Sequence, residues 1–177
     1  MSINTLVKGR VWKFGDRIST DFLVPGSKVL ANPNITPEEA AQFCMEANRP
    51  GWAENEVKPG DIIVGGINFG CGSSRNGSAP LKVLGVSVVL ADSIARIHLR
   101  NAVNTGLPTL VAPGISDLVD EGETLEVNIT TGEVKNLDTG ASMTAQAWAE
   151  GTPPYDILMA GGLDMYMEEK LKARGLK

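Results

Sequence analysis

The chain has 177 residues, enough to bury the core of one domain, and its 42% hydrophobic and 21% charged content is that of a globular protein, not a disordered one. Its formal net charge is −5 and it has no Lys/Arg run. That argues against nucleic acid as a partner, and it makes any anion site a local feature set against the global field. No stretch approaches the ~20 apolar residues of a membrane span, and the N-terminus lacks a signal-peptide pattern. Two lone cysteines, Cys44 and Cys71, point to a reducing compartment, so the expected location is the cytoplasm. By themselves they cannot ligate an iron–sulfur cluster or a structural zinc.

In chain order, Val7 to Val11 alternates apolar and basic residues and reads as a half-buried strand. The stretch from Pro25 to Pro33 is rich in turn formers and is expected to lack regular structure. Thr36-Pro37-Glu38-Glu39 predicts a helix start with a capping box, the helix running to about Ala47. Asp61 to Gly66 is a short buried strand behind the Pro59-Gly60 turn. Ser78-Ala79-Pro80 opens a helix that Gly85 closes, and Val86 to Leu90 is a continuous apolar strand. Ser93 is expected to cap a helix with Ala95, Leu99, Ala102 and Val103 on its apolar face, ended by Gly106, before a strand at Pro108 to Val111.

This predicts a central parallel βαβαβ unit. Thr124 to Ile129 then alternates, with turns at Thr131-Gly132 and Thr139-Gly140 that add antiparallel strands, and an amphipathic helix around Met165 to Lys172 ends the chain. The expectation is one α/β domain spanning residues 1–177.

Gly70-Cys71-Gly72-Ser73-Ser74-Arg75 follows a buried strand and precedes a helix, where open α/β sheets bind ligands. Gly70 and Gly72 allow turns and close approach, Ser73 and Ser74 offer hydroxyls, and Arg75 offers a fork matched to a carboxylate. A Gly-x-Gly turn alone is common; the Ser-Ser-Arg extension is what points to a small polycarboxylate. Nucleotide binding fails, because a dinucleotide fingerprint needs glycine where Arg75 stands and a P-loop needs Gly-Lys-Ser/Thr. The sole histidine, His98, lies at the border of an apolar face and is expected to be packed and hydrogen-bonded, and Cys44 to be a small core residue.

The stretch Asn68 to Arg75 resembles the signature loop of the swivelling domain of the aconitase superfamily, in the form of the separate small subunit of isopropylmalate isomerases (3-isopropylmalate dehydratases). Phe14 to Asp21 resembles the family's N-terminal Asp-x-x-Thr-Asp motif. Ala91 to Ile97 with Asn101 to Leu107, and Asp156 to Leu158 with Gly161 to Leu163, match further stretches in order and spacing. Two departures stand out: Asn76-Gly77-Ser78 where the family continues with Glu and then His or Gln, and Lys28-Val29-Leu30 where it typically reads Tyr-Leu-Arg.

The resemblance implies a swivelling β/β/α domain and a hydro-lyase subunit that dehydrates or isomerises an alkyl-substituted malate, isopropylmalate first, in leucine biosynthesis. It implies Ser73 as the catalytic base, Ser74 and Arg75 on a substrate carboxylate, and Leu30 on the variable substituent. Thr20, Asp21, Gly70 and Gly72 would support the site. No metal or cofactor is expected on this chain; a [4Fe–4S] cluster is expected on a catalytic large subunit, the implied partner. The alternatives are a related hydratase of dimethylmalate, citraconate or homoaconitate type, and a non-catalytic binding domain of the same fold.

Overall fold

The computed structural model describes residues 4–72 and 75–175. In chain order it holds β1 (Leu6–Lys13), α1 (Thr20–Leu23), α2 (Gly26–Ala31), α3 (Pro37–Ala41), a π-helical turn (Trp52–Glu56), β2 (Ile62–Gly65), α4 (Ser78–Val83), β3 (Val88–Ala91), α5 (Arg96–Thr105) and β4 (Thr109–Val111). There follow α6 (Ile115–Leu118), β5 (Thr124–Asn128), β6 (Glu133–Asn136), β7 (Ser142–Thr144), α7 (Pro153–Met159) and α8 (Leu163–Ala173).

The strands form one mixed sheet in the order β4-β3-β2-β1-β5-β6-β7. Its halves meet on β1. Val11 to Lys13 pair in parallel with Ile62 to Val64, and Leu6 to Arg10 pair antiparallel with Asn128 to Thr124. The parallel half, β2-β3-β4, is the expected βαβαβ unit.

Every residue of β2 and β3 is buried, as their unbroken apolar runs require when both faces are covered. The strand period of two divides them between two cores. Ile63 and Val89 join Trp12, Phe14, Ile18, Trp52, Phe69 and Leu81 on one face, whereas Ile62, Val64, Val88 and Leu90 join Leu110, Ile115, Leu125 and Val127 on the other. β5 alternates buried Leu125 and Val127 with half-exposed neighbours, as its sequence does.

Four local expectations are corrected. The segment after Pro25 folds as α2, because Pro25 has a fixed φ of −58° and its carbonyl accepts from the amides of Lys28 and Val29. The capping box of α3 forms, Thr36 accepting from the Glu39 amide and Glu39 from the Thr36 amide. That helix stops at Ala41, however, and does not reach Ala47. Met45 turns to φ +63°, is fully buried and donates its amide to the Phe22 carbonyl at 2.6 Å, so core packing overrides helix continuation. Ser93 does not cap α5: its hydroxyl accepts from the Asn68 amide, and Ala95 occupies the cap. Ser78 does not cap α4 either. Gly77 holds that position, and the Asn76 side chain takes the Ser78 amide.

Just before β2, where β1 begins to pair with it, Asp61 is only 6% exposed. It accepts from the Arg10 guanidinium (2.7 Å), the Trp12 indole (2.7 Å) and the Lys58 amide (2.9 Å). Arg10 and Arg49 each place a guanidinium 4.4 Å from the Trp12 ring. Burial alone would raise the Asp61 pKa, but the bonds from Arg10, Trp12 and Lys58 outweigh it and hold the carboxyl below its ordinary value. Stability from this group is therefore present above the unfolded carboxylate range and is lost as pH falls through the lowered folded value. Asp61→Ala should cost about 2–4 kcal/mol by stranding a buried indole N–H and a half-buried guanidinium. Asp61→Asn should cost less at pH 7 and flatten the acid limb. Denaturant midpoints between pH 7 and pH 3 check both.

Candidate active site

The signature loop is laid into the sheet by its backbone. Phe69 donates to the Ser93 carbonyl (2.9 Å) and its own carbonyl accepts from Ala95 (2.9 Å). On the other side Gly70 donates to the Ile18 carbonyl (2.7 Å), and the Thr20 amide donates to the Cys71 carbonyl (2.7 Å). Phe69 pairs in parallel with Ile94 and Ser19 with Cys71, so the β1–α1, β2–α4 and β3–α5 connections continue the parallel sheet past its strand ends. This is the edge at which open α/β sheets present ligands.

That stitching joins residues far apart in sequence. The Arg75 guanidinium bonds to the Asp21 carboxylate, 54 positions away, in a close ion pair. Asp21 is set in the first turn of α1, where Ser19 accepts from its amide at 3.1 Å. Thr20 beside it is 1% exposed. Both nearby loop glycines have left-handed backbone, Gly70 at φ +73° and Gly72 at φ +102°. A Cβ on Gly72 would lie 2.9 Å from the Ser19 hydroxyl, so the turn also needs the missing side chain. Thus Thr20, Asp21, Gly70, Gly72 and Arg75 converge. Ser73 and Ser74 lie outside the described residues.

Leu30 stands on α2 at 85% exposure. Its neighbour Val29 instead lines a cavity of about 240 Å³ with Val24, Ile35, Pro37, Ala40 and Ala79, and Arg75 and Asn76 form its polar side. Lys28 is held elsewhere, its ammonium 4.0 Å from the Phe43 ring centroid. Val29 carried no sequence signal beyond its place in the Pro25–Pro33 loop.

Asn76 and Gly77 have structural partners. Asn76 donates to the Thr105 hydroxyl at 2.9 Å, and Lys82 donates to the carbonyls of Thr105 and Gly161, which fixes the loop exit against the end of α5. Gly77 has an ordinary φ of −70° but lies beneath Leu23, with a built Cβ 2.6 Å from Leu23 Cδ1 and 2.9 Å from Leu23 Cβ.

Cys71 is partly exposed, and its thiol donates to the Arg17 carbonyl at 3.6 Å. Cys44 is fully buried, and burial pushes its thiol pKa up. His98 is packed as expected but not hydrogen-bonded: among the described residues neither ring nitrogen has a partner. Burial pushes its pKa down to about 4, so it is neutral at neutral pH. Among the described residues no three His, Cys, Asp or Glu side chains converge to hold a metal, and no helix is long and apolar enough to cross a membrane.

Gly77→Ala should lower stability by about 1–3 kcal/mol through overpacking against Leu23. Urea midpoints of this variant and of Gly77→Ala/Leu23→Ala check it; the second change should restore part of the loss from the first if the contact is the cause.

The match to known proteins agrees with this geometry. Residues 31–114 match the aconitase C-terminal domain. The isopropylmalate/citramalate isomerase small subunit of Methanocaldococcus jannaschii is 49% identical over 171 residues, covering 96% of this chain and 98% of that protein. The 3-isopropylmalate dehydratase small subunit of Aquifex aeolicus is 44% identical, covering 94% and 97%. The crystal structure of a 3-isopropylmalate dehydratase from M. jannaschii superposes with a TM-score of 0.86 at 33% identity, covering 96% and 98% of the two chains. With its sheet, its stitched loop and this similarity over nearly its whole length, the chain belongs to the family of 3-isopropylmalate dehydratase small subunits, hydro-lyase subunits of the aconitase superfamily.

Proposed function

We propose that the chain, as one swivelling domain over residues 1–177, supplies one wall of the active site of a cytoplasmic isopropylmalate isomerase in leucine biosynthesis. The observation that carries this reading is the placement of Arg75. Its guanidinium is oriented by Asp21 and lines a cavity whose walls are mostly aliphatic, with Thr36 and Asn76 as the other polar residues. A dicarboxylate with an alkyl substituent suits that pairing: a carboxylate for the planar fork, and branched carbons for Val29, Ile35 and Ala40.

Ser73 takes the proton adjacent to the substrate carboxylate, and Ser74 and Arg75 hold that carboxylate. These roles rest on the match of the loop to its family. A serine hydroxyl is a weak base, so it needs neighbouring amides and the Arg75 charge to stabilise its anion. Leu30 reads the substituent from the open side and Val29 from within the cavity. The relative from M. jannaschii is named for both isopropylmalate and citramalate, which favours a second reading in which a methyl group is accepted as well.

An iron–sulfur cluster would supply Lewis-acid chemistry at the departing hydroxyl. This chain's residues do not fit it, since the two cysteines lie 27 positions apart in sequence and one is sealed in the core. The cluster is assigned to the large subunit, which the small-subunit names of the relatives imply as partner.

The test is assembly with a reconstituted large subunit under anaerobic conditions, assayed on isopropylmalate, citramalate, dimethylmalate, citrate and homocitrate. Isopropylmalate should be turned over fastest; a preference for citrate would sink the reading. Ser73→Ala should lower kcat by roughly a thousandfold with little change in KM, as for a group acting in the transition state. Arg75→Lys should mainly raise KM, because it keeps the charge and loses the fork. Leu30→Arg should shift kcat/KM toward the tricarboxylates by tenfold or more, about 1.4 kcal/mol. An unchanged ratio would remove Leu30 from substrate reading.

A further inference from the structure

His98 is the one histidine of the chain, it is 1% exposed, and among the described residues both of its ring nitrogens lack partners. Buried polar groups are normally paired, so hydrogen bonding to the described residues does not account for an imidazole here. Its contacts do. A Cβ built on Gly70 would fall 2.2 Å from His98 Cγ, 2.4 Å from its Cβ and 2.7 Å from Nδ1, so the Gly70 backbone lies directly on the root of the ring. The ring meets Phe69 edge-on, with centroids 5.4 Å apart. Gly70 is also the residue whose amide holds the Ile18 carbonyl, and Ile18 leads within three residues to Asp21, the ion-pair partner of Arg75.

We infer that His98 is a positioning residue: by its shape, as a flat floor beneath Gly70, it sets the height at which the signature loop crosses the sheet edge, and so sets where Asp21 and Arg75 meet. No proton moves through it. Its burial leaves the imidazole uncharged at neutral pH, which suits a packing element. Phenylalanine keeps the Cβ and Cγ that lie against Gly70 and places a ring carbon where Nδ1 stands, so it retains the flat shape without the nitrogens. Alanine removes the floor.

The test uses the full chain, with two independent measurements on wild type, His98→Phe, His98→Ala, Gly70→Ala and the double variant His98→Ala/Gly70→Ala. Amide hydrogen exchange at Gly70 and Thr20 in the chain alone reports the stitching of the loop. The kcat and KM of the pair formed with the large subunit report the site, and only this second measurement rests on the proposed function. His98→Ala should keep the far-UV circular dichroism of the fold, while exchange at both amides rises at least tenfold and kcat/KM falls at least tenfold. His98→Phe should stay within threefold of wild type in both, with an unchanged pH profile. Gly70→Ala should be less harmful, by threefold or more, in the His98→Ala background than in wild type, because the methyl then has room. If His98→Ala does not fold, His98→Leu, which fills volume without a flat face, takes its place with the same expectations.

Wild-type exchange and kinetics in the alanine or leucine variant would overturn the inference. So would a His98→Phe pair that exchanges like wild type yet loses its activity or the acid limb of its pH profile, since the nitrogens would then be doing chemistry. An inactive wild-type pair would refute the isomerase reading and leave the exchange data to decide this one.

Discussion

The site depends on four backbone hydrogen bonds that lay residues 69–71 between the Ile18–Thr20 and Ser93–Ala95 segments. They have no side-chain specificity of their own. Their strength lies in extending three parallel strands past their ends, so that loops from three separate crossovers share one ladder. Asp21 comes from the start of α1 and Arg75 from the β2–α4 loop, and the ladder fixes the register of both segments so that their ion pair can form. An ion pair this exposed, with side chains 27% and 58% accessible, contributes little stability. Its value is geometric: it chooses one orientation of the guanidinium.

The opposite end of the sheet works by another principle. There the buried Asp61 accepts from the half-buried Arg10 and from the Trp12 indole, and Arg49 stacks on the same indole. This cluster secures β1 where it passes from parallel pairing with β2 to antiparallel pairing with β5. The start of β2 is thus tied to β1 by an ion pair of a buried carboxylate with a half-buried guanidinium, and the C-terminal ends are left to loops with positive-φ residues at Arg17, Asn68, Gly70 and Gly72. Of the three described non-glycine residues with positive φ, Arg17 and Asn68 lie at this C-terminal edge and only Met45 lies elsewhere.

Periodicity made the strands legible, since β2, β3 and β5 are each too regular in pattern to be read otherwise, and Thr36 to Glu39 spelled out a cap that forms. What escaped was decided by tertiary contact. Met45 leaves the helix because its amide and side chain are taken by the core, and Ser93 is drawn from its cap to serve Asn68. α6 and α7, four and seven residues long, are too short to show a period. At the site, the glycines and Arg75 were visible as a motif, and Asp21 as half of another. Their pairing across 54 residues, and the part of Val29 in the cavity, are properties of the ladder and of α2, which no local pattern encodes. His98 was legible as packed; that its nitrogens have no partner among the described residues was not.

Asn76-Gly77 brings these strands of argument together. Read as sequence, glycine at 77 loosens the helix start, and Asn76 stands where the family has a carboxylate that could orient Arg75. In the fold, Gly77 fits because Leu23, the last residue of α1, lies across it, and α1 is the element that carries Asp21. The close approach that excludes a side chain at 77 therefore also brings Asp21 to Arg75, and a carboxylate following Arg75 is not needed to orient it. Asn76, freed from that task, takes the Ser78 amide and the Thr105 hydroxyl and closes the loop against α5. The departure at 76–77 weakens the motif on paper, but in three dimensions Asp21, a residue of the other motif, is the carboxylate that orients Arg75.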